Sequence, residues 1–209
     1  MLFTAHQRIL FIGDSITDCG RTGDVPPYGN GYVSMVRNLL LARYPHLHLV
    51  IINRGVSGNT IRDLAARWDK DVIAQQPDWL SVMIGINDVW RFFTNRPAEG
   101  VPLAEYEVTF RRLLDRARSA TAARLILMQP YMIETNKDQA MRREMERYAA
   151  VVNRLASEYD AILVRTQDAW DAALAHTQPI DWAADQIHPS PAGHAVIALA
   201  VLRAIGFEL

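Results

Sequence analysis

Five strand-length stretches in which nearly every residue is apolar, separated by segments with helical apolar spacing, leave few folds open to this chain. The stretches are RILFIG (8–13), LHLVIIN (47–53), DWLSVMIG (78–85), RLILMQP (124–130) and AILVRT (161–166). A strand with one wet face alternates polar and apolar residues. An unbroken apolar run belongs in a sheet covered on both faces, as parallel strands usually are. Between the runs, GYVSMVRNLLLARY (31–44), LAEYEVTFRRLLDRARS (103–119) and MRREMERYAAVVNRLASEY (141–159) each collect their apolar residues on one helical face. The closing segment, SPAGHAVIALAVLRAI (190–205), opens with Ser190 as a helix cap and Pro191 at the first helical position. Strand and helix therefore alternate throughout, which predicts a three-layer α/β/α domain with right-handed crossovers.

The chain has 209 residues, half of them apolar, and no repeat or linker, so one domain spanning 1–209 is expected. CGRTGDVPPYGNG (19–31) and FTNRPAEGVP (93–102) read as loops. With 22 basic and 23 acidic residues the net charge is −1, which provides no field to attract nucleic acid or an anionic membrane. The expected partner is a small or neutral molecule. No window approaches the roughly 20 apolar residues of a membrane-spanning helix. The N-terminal MLFTAHQRILFIGD lacks the charged-then-apolar order of a signal peptide, and the one cysteine, Cys19, has no internal partner. A cytoplasmic protein is expected. Apolar helix faces and the closing GFEL (206–209) are compatible with a homo-oligomer.

In an open α/β sheet, ligands bind beyond the carboxyl ends of the strands. There the sequence places GDSIT (13–17), NRGVSGNT (53–60) and GIND (85–88), with DQIHPS (185–190) ahead of the last helix. Each piece has a plain structural reading. Gly-Asp-Ser and Asn-Asp cap helices, a glycine before Asn-Thr suits a turn, and an isolated Asp-x-x-His is commonly a surface turn. Together they supply the parts of an acyl-transfer site. A serine hydroxyl needs a base within hydrogen-bond reach, and that base needs a partner that fixes its tautomer. Ser15, His188 and Asp185 fit those roles, and Pro189 biases His188 toward extended backbone outside the final helix. The oxyanion needs donors already in place, for which the N–H of Ser15, the N–H of Gly58 and the side-chain amide of Asn87 are candidates.

These four ordered pieces resemble the blocks of the SGNH, or GDSL-type, hydrolases, and the resemblance runs from Gly13 to the final helix. It implies a flavodoxin-like fold with a five-stranded parallel sheet and metal-free hydrolysis of carboxylic esters, with no cofactor. It puts the nucleophile on Ser15, the oxyanion donors on Ser15, Gly58 and Asn87, and the acid and base on Asp185 and His188. No G-x-S-x-G occurs, so the nucleophile elbow of α/β-hydrolases is not expected.

GINDVWR (85–91), NTIRDLAARW (59–68) and IHPSPAGH (187–194) are similar to the carbohydrate-deacetylase branch of that family, which contains acetylxylan esterases. The expected substrate is a short-chain ester, an acetylated sugar such as a xylo-oligosaccharide. A short-chain lipase or thioesterase of the same family is the alternative. Asp14, Arg54, Trp90 and Trp182 are candidate substrate contacts, the two tryptophans as flat faces for a sugar ring. Arg91, like Arg54, is weighed as a contact to a polar substrate against the commoner reading of a surface arginine.

Two other chemistries draw on the same residues. Asp14, Asp88 and Asp185 would serve a metal-dependent phosphohydrolase, but the position two after Asp14 is Ile16 rather than an acid. SGNT (57–60) before a helix would suit a phosphate-binding module. Cys19 is read as inert and His194 as a packed or surface residue.

Overall fold

The computed structural model describes residues 1–208. The strands are β1 (Arg8–Gly13), β2 (Val50–Gly55), β3 (Trp79–Met83), β4 (Arg124–Met128) and β5 (Ile162–Val164). All pair in parallel, in the order β2-β1-β3-β4-β5. The helices are α1 (Ser15–Asp18), α2 (Tyr32–Arg43), α3 (Ile61–Asp71), α4 (Ile86–Trp90), α5 (Leu103–Ala120), α6 (Ala140–Glu158), α7 (Thr166–Leu174) and α8 (Pro191–Ala204). Helix α8 packs on α2 and α7, while α5 packs on α3 and α6, and these two groups form the outer layers.

The unbroken apolar runs are explained by this cover. Every residue of β3 is buried, as are Ile9 to Gly13 of β1 and Leu125 to Met128 of β4. Leu10 and Leu80, paired across β1 and β3, are wholly buried, so truncating either to alanine is expected to cost about 2–5 kcal/mol.

Several boundaries differ from those read in the sequence. The stretch 47–53 becomes a strand only at Val50, because Pro45–Leu47 coil into a single 3₁₀ turn and His48 takes a positive φ of 48°. β3 and β4 end at Met83 and Met128, before the apolar runs do. Helix α7 had no distinct apolar stripe to announce it, yet its Trp170 is fully buried.

The strand order places the candidate site. β1 lies between β2 and β3, and the chain leaves β1 toward β2 before crossing back to β3. Loops leaving the two sides diverge there and open a crevice. The register aligns Gly13 with Gly55 and with Met83, so these three strands end level. Glycine is required at Gly13, because a Cβ there would sit 2.3 Å from the Met83 carbonyl oxygen. With no side chain in the way, the chain turns across β3 and starts α1 at Ser15.

Candidate active site

Ser15 is the first residue of α1, whose cap is Asp14: one carboxylate oxygen accepts the Ile16 N–H at 3.0 Å. The N–H of a first helical residue has no partner inside the helix and is free for a ligand. The Ser15 hydroxyl lies 2.9 Å from Nε2 of His188. The other ring nitrogen, Nδ1, lies 2.6 Å from Oδ2 of Asp185. Asp185 Oδ1 accepts the backbone N–H groups of Ile187 (3.0 Å) and His188 (2.8 Å), which winds the DQIH turn around its own carboxylate. Burial pushes the Asp185 carboxyl up, but the bonds from His188 and Ile187 outweigh it and hold the group below the ordinary carboxylate range. A charged Asp185 fixes the proton on Nδ1, leaving Nε2 as an acceptor toward the Ser15 hydroxyl.

The turn between β2 and α3 supplies the next part. Gly58 has a φ of +81°, which a residue with a side chain adopts only under strain. Its N–H donates to no group among the described residues. Asn87, in α4 beyond β3, spends one amide hydrogen on the Asn59 carbonyl at 3.0 Å. That bond fixes the amide plane and leaves the second hydrogen for a ligand.

Buried polar groups hold these pieces in place. Asp18 Oδ2 accepts the N–H and hydroxyl of Ser57 (3.2 and 2.8 Å), and Asp18 also accepts from Thr22. Burial raises the Asp18 carboxyl, and the Ser57 and Thr22 donors more than reverse it, so the group stays low. The Arg67 guanidinium reaches the carbonyls of Gly13 (3.0 Å) and Arg54 (2.7 Å) and the Asn59 side chain (2.7 Å), joining two strand ends and the Gly58 turn. Asp88 Oδ1 accepts the Ile61 N–H at 2.9 Å, at the start of α3. Burial pushes the carboxyls of Asp14 and Asp88 up to about 7.

Ser15, Gly58, Asn87, Asp185 and His188 thus meet at one edge of the sheet, and Trp90 stands beside them, edge-on to the His188 ring with centroids 6.1 Å apart. Three expected substrate contacts do not join them. Asp14 is 1% exposed and used as a cap, since the turn at Gly13 directs its side chain inward. Arg54 reaches away from the strand ends to the Gln75 side chain (3.1 Å), and Gln75 in turn accepts from Arg8 at the start of β1. Trp182 packs edge-on against buried Trp170, and its indole N–H donates to Thr177 at 2.7 Å. Arg91 is not a free surface arginine: its guanidinium donates to the Gly58 carbonyl at 2.7 Å and pairs with Glu99.

His194 is packed: Nδ1 accepts the Tyr32 N–H at 3.3 Å, which leaves Nε2–H to donate to Cys19 Sγ at 3.2 Å. Burial pushes its pKa down to about 4. The same burial, with Asp18 nearby, raises the Cys19 thiol despite a bond to Asn30. Sequence reading missed Asp18, Arg67 and the role of Arg91. For Asp18 and Arg67 the available signal was a charge beside or inside a motif segment, Asp18 directly after GDSIT (13–17) and Arg67 within NTIRDLAARW (59–68); the role of Arg91 had none. Among the described residues, no group of three or more His, Cys, Asp or Glu is placed to hold a metal ion. No helix among the described residues is long and apolar enough to cross a membrane.

Comparison with known proteins gives consistent matches. Residues 11–196 match the model of the GDSL-like Lipase/Acylhydrolase family. An acetylxylan esterase of Geobacillus stearothermophilus is 48% identical, covering 100% of this chain and 98% of its own. A crystal structure of an acetylxylan esterase from that organism superposes with a TM-score of 0.95 at 46% identity, over 100% of this chain and 98% of the other. Solved forms of that esterase include catalytic mutants in which a serine, an aspartate and a histidine are each replaced by alanine, the aspartate three positions before the histidine. An α/β hydrolase from the metagenome of Lake Arreo, Spain, superposes with a TM-score of 0.94 at 43% identity, over 99% of this chain and 98% of its own.

Proposed function

The chain belongs to the GDSL-like lipase/acylhydrolase family and is a carboxylic ester hydrolase, and we propose that it deacetylates xylo-oligosaccharides through an acyl-enzyme on Ser15. The observation that carries this reading is the continuous hydrogen-bonded chain Ser15 Oγ, His188 Nε2, His188 Nδ1, Asp185 Oδ2, with links of 2.9 and 2.6 Å.

In the first step His188 Nε2 takes the hydroxyl proton of Ser15 as Oγ attacks the acetyl carbonyl carbon. The carbonyl oxygen becomes an oxyanion held by the N–H groups of Ser15 and Gly58 and the free amide hydrogen of Asn87. The ester C–O bond then breaks, and His188 returns the proton to the departing sugar hydroxyl. Water repeats the sequence on the acyl-enzyme, giving up a proton to His188 and releasing acetate. Asp185 stays ionised throughout and stabilises the imidazolium.

The substrate class is supported by the full-length likeness to an acetylxylan esterase and by Trp90, which offers an apolar ring at the rim beside His188. The test is a series of p-nitrophenyl esters alongside acetylated xylo-oligosaccharides. Acetyl is expected to be the preferred acyl group. Octanoyl esters turning over more than about tenfold faster than acetyl, by kcat/KM, would contradict it.

A further inference from the structure

Gly58 is the most loosely specified part of this machinery, because a glycine at φ +81° has no side chain to hold its peptide planes. It is anchored from both sides. Asp18 fixes the preceding residue through the Ser57 N–H and hydroxyl. On the following side the Gly58 carbonyl accepts from Arg91 at 2.7 Å, and Arg91 is itself oriented by Glu99. The Arg91 side chain is 13% exposed, and its Nε is buried without an acceptor. The guanidinium is therefore directed by Gly58 and Glu99 and has little surface left for substrate.

Two neighbouring bonds separate this grip from the general folding of the turn. Asn87 holds the Asn59 carbonyl, and Asp88 holds the Ile61 N–H. Without Arg91 the turn keeps those two ties and the Ser57 anchor, and the Gly58 carbonyl loses this partner.

We infer that Arg91 is a positioning residue of the reaction: it holds the Gly58 carbonyl, in the peptide after the one that carries the Gly58 N–H, and so fixes the Gly58 backbone torsions that aim this N–H before the oxyanion forms, with Glu99 setting the angle of the guanidinium. The inference rests on the reading of Gly58 as an oxyanion donor. A donor helps only if it is already in position, and a displacement on the order of 1 Å at a reacting centre costs about a hundredfold.

The test compares Arg91→Met with wild type on p-nitrophenyl acetate and on binding of an aryl boronic acid. Boron takes an electron pair from Ser15 Oγ while the hydroxyl proton passes to His188, giving an anionic tetrahedral adduct that needs the same donors. The expected result is a fall in kcat of about tenfold to a hundredfold with little change in KM, a parallel fall in boronic-acid affinity, and partial rescue by guanidinium ion. Unchanged kcat, or a rise in KM at constant kcat, would overturn the inference. If Arg91→Met does not fold, Glu99→Gln takes its place: a severalfold loss of kcat supports the inference and full activity overturns it. Ser15→Ala in the same assay separates the two levels. If it stays active, the reading of the site fails. If it is inactive while Arg91→Met is unimpaired, only the role of Arg91 fails.

Discussion

Asp185 holds His188 twice: Oδ1 accepts the histidine's backbone N–H at 2.8 Å, and Oδ2 lies 2.6 Å from its Nδ1. Asp185→Asn keeps an oxygen for the backbone bond but turns an NH₂ group toward Nδ1. The ring then carries its proton on Nε2, where the Ser15 proton must go. A loss in kcat of about 10³–10⁴ is expected, with the melting temperature little changed, as kinetics and a thermal melt would report.

Asn87→Ala removes one proposed oxyanion donor and the tie to the Asn59 carbonyl. The expected loss is about 2.7–4 kcal/mol of transition-state stabilisation, read as a fall in kcat of about 10²–10³ with KM nearly constant. Steady-state kinetics on an acetyl ester is the check, and a variant that alters only KM would move Asn87 from the transition state to ground-state binding.

The fold was legible because β1, β3 and β4 are buried on both faces, which forces unbroken apolar runs that no amphipathic helix shares. The residues that meet at the site were legible for a related reason: Ser15 and Asn87, in the short helices that follow β1 and β3, and Gly58, Asp185 and His188, in turns, stand where packing alone asks for none of them. What was misread depends on where a long side chain goes. Arg54 is the last residue but one of β2, close to the edge where Asn87 stands, yet its guanidinium extends toward Gln75. Trp182 lies three residues before Asp185 but finds both a ring, Trp170, and an acceptor, Thr177, in the packing beneath the loop. Such destinations are set by tertiary packing rather than by position in a motif. Arg91 shows the reverse case, since nothing local marks an arginine in a mixed loop as the partner of a glycine 33 residues earlier.

Trp90 stands edge-on to the His188 ring. If it is a platform for sugar, Trp90→Ala raises KM for an acetylated xylo-oligosaccharide by about tenfold, the energy of one good stacking contact, and leaves KM for p-nitrophenyl acetate unchanged. Equal losses on both substrates would assign the ring to supporting His188 instead.

His194 sets a pH dependence of stability. Burial lowers its pKa from 6.5 to about 4 in the folded chain, so between those values the unfolded chain takes up the proton first. Its contribution is present above pH 6.5 and is lost as the pH falls toward 4. The lost contribution is on the order of 3 kcal/mol. A proton on Nδ1 would also face the Tyr32 N–H. His194→Gln is expected to lower the melting temperature near neutral pH and to narrow that gap steadily on acidification. A gap that does not change with pH would contradict this.

In the proposed reaction Ser15, activated by His188, attacks an acetyl ester. The most direct measurement is the rate of acetate release from an acetylated xylo-oligosaccharide by the wild type beside Ser15→Ala, with chelator present throughout. The wild type is expected to turn over and the variant to lose about a thousandfold or more, with the fold unchanged by circular dichroism. Equal rates for the two proteins would contradict it.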